Sequence, residues 1–318
     1  MEPVIQAPHA PAIRKEQRID PQRLLAVLAI MAASAGCTAT AATTNTAASP
    51  QSANLVAPQA AIKETSSMNK EIISALAPTG VLRASLNVGN PVLANLDAHG
   101  KPAGISIDLA LQLGERLGVP VELIVNETAG KSVATMESGR ADVGFFAIDP
   151  ERGKDIAFTA PYVLIEGFYL VRSDSPITSN AQVDVAQFRV AVGKGSAYDL
   201  FLTRNLKSAQ LVRAPSSQVV VQTFLDQGLD VAAGVKQQLE MDTRGMNNVR
   251  LLGERFMVIQ QAMGVPKARG PAAALYLRTF VEEMKALGVV KDSMTRHGIQ
   301  GAGIGLAADP MVDPLAGQ

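Results

Sequence analysis

The stretch ISIDLALQLGERLGVPVELIVNETAGKSVATMESGRADVGFF, residues 105–146, decides the architecture. Its opening, Ile105 to Leu117, places Ile107, Leu109, Ala110, Leu113 and Leu117 at helical spacing. Gly118 is positioned to stop that helix, because glycine accepts the left-handed conformation a helix end needs. Val121 to Val125 then reads as a strand, Lys131 to Glu137 as a helix closed by Gly139, and Asp142 to Phe146 as a strand. Upstream, Val81 to Val88 reads as a strand ending at Gly89-Asn90-Pro91, and Gly100-Lys101-Pro102 as a turn. Strands alternating with helices imply an α/β body in which neighbouring strands run parallel.

The same grammar recurs downstream. Phe188 to Val192 is a predicted strand, followed by the loop Gly193-Lys194-Gly195-Ser196 and a helix from Ala197 to about Leu206. Gln210 to Arg213 is a short strand and Gln218 to Asp226 a helix. Gly228-Leu229-Asp230-Val231 repeats the junction Gly139-Arg140-Ala141-Asp142-Val143. Two copies of one β-α-β-α-β order predict two similar lobes. A further strand is expected over Gln260 to Val265, a long helix over Gly270 to Ala286 and a last one over Val289 to His297.

Composition limits what such a body does. The 318 residues, 47% hydrophobic, suffice for two lobes of ordinary size. Lys plus Arg (29) balances Asp plus Glu (29), so there is no basic field for a nucleic-acid partner. With Trp absent and a single cysteine, aromatic platforms are scarce and an intramolecular disulfide or thiolate metal cluster is excluded. His9, His99 and His297 are far apart in sequence and suggest no metal site, and no cofactor motif stands out. Gly130-Lys131-Ser132 looks like the end of a phosphate-binding loop, but the first glycine of that motif would fall at Val125.

Residues 1–67 read differently. Arg14, Lys15, Arg18 and Arg23 precede a short apolar run, Leu24 to Ala33, and then Ser34-Ala35-Gly36-Cys37. Basic residues, a short apolar run and small residues form an export-signal pattern, and the run is short for a membrane span. Ala-Gly-Cys resembles the end of a bacterial lipobox, with Ser34 where leucine is usual, so residues 1–37 are expected to be an export segment with Cys37 as a candidate lipid anchor. Residues 38–67, rich in Ala, Thr, Ser, Gln and Pro, are expected to be a disordered tether.

Four blocks carry a resemblance: Gly104-Ile105-Ser106-Ile107-Asp108-Leu109-Ala110, Leu117-Gly118-Val119-Pro120-Val121, Glu137-Ser138-Gly139-Arg140-Ala141-Asp142, and Glu151-Arg152-Gly153-Lys154-Asp155-Ile156-Ala157-Phe158-Thr159-Ala160-Pro161-Tyr162. In this order and spacing they resemble the bacterial extracellular solute-binding proteins of the polar amino-acid type, family 3, over about Val81 to His297. The resemblance implies a two-lobed periplasmic binding protein-like fold of type II with two hinge strands, near Tyr169–Arg172 and Val258–Gln261. It implies lobe one over 79–170 plus 262–300, lobe two over 173–258 and a C-terminal tail over 301–318. It also implies a monomer in the periplasm that binds a ligand between its lobes and serves an ABC permease.

Site residues follow from both readings. Asp149-Pro150-Glu151 looks like the start of a helical turn that holds Arg152 near a strand end. A guanidinium fork suits a carboxylate, and the matching arginine of the family grips the ligand's α-carboxylate; a surface arginine paired with Glu151 or Asp155 is the plainer alternative. Gly195, Ser196 and Ala197 open a helix, whose free N–H groups and positive dipole end suit an anion, or Ser196 simply caps it. Asn90 follows the first strand and faces the same cleft by topology, and Phe146 and Ala147 end the third strand of the first series.

The resemblance places an ammonium-binding aspartate where Val235 stands, followed by Lys236. An ammonium without a carboxylate partner is costly in a closed cleft. The expected ligand is therefore not an ordinary α-amino acid but a small anion, a dicarboxylate or an atypical amino acid, with Lys236 either facing it or pointing to solvent. The alternative is a periplasmic dehydratase on the same fold acting on a small carboxylate, for which Glu127, Asp149 and Glu166 are the candidate acid–base groups, although no His or Cys is suitably placed. A non-catalytic binding protein is the expectation.

Overall fold

The computed structural model describes residues 70–315; the export-like segment with Cys37, the tether over 38–67 and His9 lie outside the described residues. A helix over residues 70–76 (α1) leads into β1 (Leu82–Asn87). There follow β2 (Asn95–Leu96), β3 (Pro102–Ala103), α2 (Ile105–Leu117), β4 (Val121–Asn126), α3 (Ala129–Glu137), β5 (Val143–Ala147), β6 (Ile156–Phe158) and β7 (Val163–Arg172). The second series runs β8 (Arg189–Gly193), α4 (Ala197–Asn205), β9 (Gln210–Ala214), α5 (Val220–Asp226), β10 (Val231–Val235), α6 (Lys236–Asp242) and β11 (Val249–Leu251). The chain closes with β12 (Met257–Pro266), α7 (Pro271–Ala286), α8 (Val289–Arg296) and β13 (Gly303–Ile304).

Local chemistry sets these boundaries. Gly118 ends α2 at φ 68°, where a side chain would be strained, and Val119 N–H bonds back to Gly114 O at 3.0 Å. Helix α3 starts two residues before the expected Lys131, because Thr128 Oγ1 caps it by accepting Lys131 N–H.

The strand order β4-β1-β5-β12-β7-β10-β8-β9 makes the fold α/β with two lobes. Strands β4, β1 and β5 are mutually parallel, as are β10, β8 and β9. Two long antiparallel strands join these trios. Residues 257–261 of β12 pair with 163–167 of β7, residues 261–264 of β12 pair with β5, and residues 167–171 of β7 pair with β10. The partner of β7 therefore changes at Gly167.

Each trio is locked by an aspartate in the junction that the sequence repeats. Asp142 N–H donates to Arg83 O, and the Asp142 carboxylate accepts Arg83 N–H in return. In the second trio Asp230 and Arg189 exchange the same two bonds, at 3.1 and 2.8 Å. Asp142 is fully buried and also accepts the guanidinium groups of Arg83 and Arg269, each at 2.8 Å.

Parts of the described chain beyond α8 pack back onto the body. Strand β13 pairs with Leu164 and Val163 at the start of β7. Leu315 lies against Gly153 so closely that any side chain at 153 would collide with it. Helix α8 is held to α2 through Asp108, whose Oδ2 accepts from Ser293 Oγ, Arg296 Nη2 (2.8 Å) and His297 Nε2 (2.9 Å). Among the described residues no helix is long and apolar enough to cross a membrane.

Two stability results are expected. Asp142→Ala leaves two arginines facing a buried gap and costs about 3–5 kcal/mol, read from the urea midpoint. Burial alone would raise the Asp108 carboxyl, but the bonds from Ser293, Arg296 and His297 outweigh it and hold it below its ordinary value. A depressed carboxyl stabilises the fold above its unfolded pKa, and this contribution is lost as pH falls through the folded one. Thermal melts should therefore show a steeper loss of stability below about pH 4 in the parent than in Asp108→Asn.

Candidate functional site

The two trios of strands point their carboxyl ends at one region, as open α/β sheets do where they bind ligands. There, residues from both sides line a cavity of about 50 Å³. Asn90, Phe146, Ala147, Arg152, Ser196 and Ala197 line it, so the structure brings together six of the eight residues singled out in the sequence. Gly195 and Lys236 do not.

Arg152 is the sole charged residue among those lining the cavity. The short helical turn Arg152–Lys154 holds it, opened by Asp149 Oδ1 accepting Glu151 N–H at 2.9 Å. Its side chain donates to Ala147 O at 3.1 Å and to Gly195 O at 3.0 Å. One carbonyl ends β5 and the other precedes α4, so the guanidinium spans the two lobes. It is 6% exposed and, among the described residues, forms no ion pair; Glu151 pairs with Lys154 instead. Burial pushes its pKa down to about 10, with the nearby Asp149 charge opposing and Arg204 adding to the shift. The group stays cationic at neutral pH.

The loop before α4 departs from expectation. Gly195 N–H donates to Asp199 Oδ2 at 2.8 Å and Ser196 N–H to Gly193 O at 3.0 Å, so these two donors are committed within the loop. Ser196 caps α4 by accepting Asp199 N–H at 3.0 Å while also lining the cavity. Gly195 contributes its carbonyl to Arg152 and stands, at φ +71°, across from Gly130 at the start of α3. A Cβ on Gly195 would come within 3.3 Å of Gly130 Cα, so the two lobes meet here at backbone distance.

Phe145 and Phe146 are both buried, Phe145 edge-on to Tyr162 and Phe146 among Met136, Ile156 and Phe158. Lys236 opens α6 outside the cavity. Its ammonium lies 5.2 Å from the Phe168 ring centroid and 3.9 Å from Glu240, in a separate groove with Gln237 and Gln300. It supplies no second cation to the cavity, which removes the reason for a dianionic ligand. Val235 does line the cavity, where the resemblance places an aspartate.

Sequence reading missed Gln238 of α6, Gln261 of β12, Tyr198 and Ser217, which also line the cavity. Gln238 and Gln261 are 8% and 6% exposed. The available signal for Gln238 was the Gln238–Asp242 spacing of four, which aligns two polar side chains on one helical face. The three carboxylates weighed as acid–base groups lie elsewhere: Glu127 pairs with Lys131, Asp149 with Arg204 and Glu166 with Arg255. No group of three or more His, Cys, Asp or Glu among the described residues could hold a metal.

The bridge from Asp149 Oδ2 to Arg204 Nη2, 2.8 Å long, joins the loop after β5 to α4 across the cleft. Arg204→Gln is expected to shift the molecule toward an open form, seen as a larger radius of gyration by small-angle X-ray scattering. Its urea midpoint should also fall, because the buried Asp149 carboxylate loses its ionic partner.

Comparison with known proteins places this geometry. The family described as bacterial extracellular solute-binding proteins, family 3, matches residues 83–298. The L-cystine-binding protein TcyJ of Escherichia coli is 28% identical over 134 residues, 42% of this chain and 50% of that protein. The chain thus spans about half the length of the curated relatives it matches. A solved solute receptor for L-cysteine from Neisseria gonorrhoeae superposes with a TM-score of 0.62 at 22% identity, covering 72% of this chain and 94% of that one. An ancestral amino acid-binding protein, a precursor of cyclohexadienyl dehydratase, gives 0.59 at 21% identity, covering 72% and 98%. At these identities the two structures speak to the fold alone.

Proposed function

Because the chain belongs to the bacterial extracellular solute-binding proteins of family 3, we propose that it is the solute-binding component of an ABC importer, closing over a small ligand that bears a carboxylate. The observation that carries this reading is Arg152: a buried guanidinium, the only charge on the cavity wall, bonded to carbonyls of both lobes. An unpaired cation is costly to bury. An anionic ligand offsets that cost and adds charge-assisted bonds to the planar fork. The grip would also couple binding to closure, since the same side chain holds Ala147 on one lobe and Gly195 on the other.

In this reading lobe one comprises 79–170 plus 262–300 and lobe two 173–258. The protein works as a monomer in the periplasm, tethered through Cys37, and passes its ligand to an inner-membrane permease. Binding rather than turnover is favoured because none of Glu127, Asp149 and Glu166 lines the cavity.

The test is a thermal-shift screen of the full chain against amino acids, keto acids, hydroxy acids, dicarboxylates and small phosphorylated compounds, since a ligand of the folded state raises the melting point by mass action. Hits should share a carboxylate. Arg152→Met should weaken them by about 2–5 kcal/mol, as for a hydrogen-bonded buried charge pair. Hits that bind Arg152→Met as well as the parent would overturn the proposal.

A further inference from the structure

Besides Arg152, the wall of the cavity presents unpartnered side-chain acceptors. Gln238 is 8% exposed and its Oε1 is buried without a hydrogen-bond partner. The orientation of that amide is set chemically. Its Nε2 donates to Asp242 Oδ1 at 2.6 Å, one helical turn along α6. A flipped amide would set its oxygen against the carboxylate, acceptor against acceptor, so Asp242 holds the oxygen away from itself. On the lobe that carries Arg152, Asn90 Oδ1 is also buried without a partner, while Asn90 O, accepting Leu93 and Ala94 N–H, fixes the turn after β1. Both residues line the cavity that Arg152 lines, and neither Asp nor Glu does.

We infer that Asn90 and Gln238 form an acceptor pole which, with Arg152, selects a monocarboxylate that also carries an uncharged hydrogen-bond donor, a hydroxyl or an amide N–H. The inference rests on the binding-protein reading and narrows its ligand class. A second carboxylate would face the carboxamide oxygen that Asp242 holds in place on Gln238 and find no cation there, because Lys236 lies in a separate groove. An ammonium would find neutral oxygens but no carboxylate on the wall, because Val235 stands there. A neutral donor gives its hydrogen to an amide oxygen of the wall and leaves the cavity, with its ligand, balanced in charge. Asp242 is the positioning residue behind Gln238. Its own Oδ2 is buried without a partner, and burial raises its pKa.

The experiment is calorimetric titration of the full chain with matched series of three- to six-carbon acids bearing hydrogen, hydroxyl, acetamido or ammonium at position 2, plus succinate. The hydroxyl or acetamido members should bind at least tenfold more tightly than their hydrogen and ammonium counterparts. Gln238→Met and, from the opposite lobe, Asn90→Ala should each erase that preference. Either variant suffices if the other loses its fold, as checked by its melting point without added acid. Preference for the ammonium series or for succinate, or a hydroxyl preference that survives in the folded variants, overturns the inference while leaving Arg152-dependent binding intact. Silence of every acid overturns the carboxylate reading itself, and this inference with it.

Discussion

A single guanidinium sits between two backbone carbonyls that belong to different lobes, with no carboxylate to neutralise it. Burying that charge is unfavourable in isolation, so the surroundings are organised to tolerate it. The helical turn presenting Arg152 is pinned by Asp149, which also bonds across the cleft to Arg204. The carbonyl that receives its second bond lies at a glycine whose backbone comes within contact distance of Gly130. Remove the close approach at these glycines and Gly195 O no longer reaches the guanidinium. Closure and charge burial are two aspects of one arrangement.

The strands that permit this arrangement are β7 and β12, which pair with each other while β12 also pairs with the first trio and β7 with the second. Their legibility in the sequence was uneven. Helix α2 is found with the residues its periodicity predicts, because an amphipathic helix ending in glycine is a local signal. Strands β1, β5, β8 and β9 differ from expectation by a residue or so at their ends for the same reason. Strand β12 was expected only over Gln260 to Val265 and runs from Met257 to Pro266, since its outer residues owe their conformation to pairing with β7 and β6, which is a long-range property. The repeated aspartate junction was visible as a motif, but its purpose, a reciprocal clamp on the first strand of each trio, required the structure.

The site shows the same division. Arg152 stood out because its motif is specific and because a planar cation has few other reasons to follow a strand end. Gly195 and Ser196 were flagged for N–H groups that turn out to be used in their own loop and helix cap, a competition the sequence hints at only through Asp199. Lys236 was flagged for its charge, but as the first residue of α6 it leaves the wall to Gln238. Uncharged amides carry no comparable signal until the fold shows which are buried and lack a partner.

The contact between Leu315 and Gly153 has a consequence for the order in which the protein becomes competent. The turn that presents Arg152 is backed by a side chain from the far C-terminal segment, translated long after the turn itself. The elements α2 and α3 and their strands precede the turn in the chain, yet the arginine lacks this supporting neighbour until Leu315 has docked. The turn that carries the arginine thus has its full set of neighbours only once residues as far as 315 are in place.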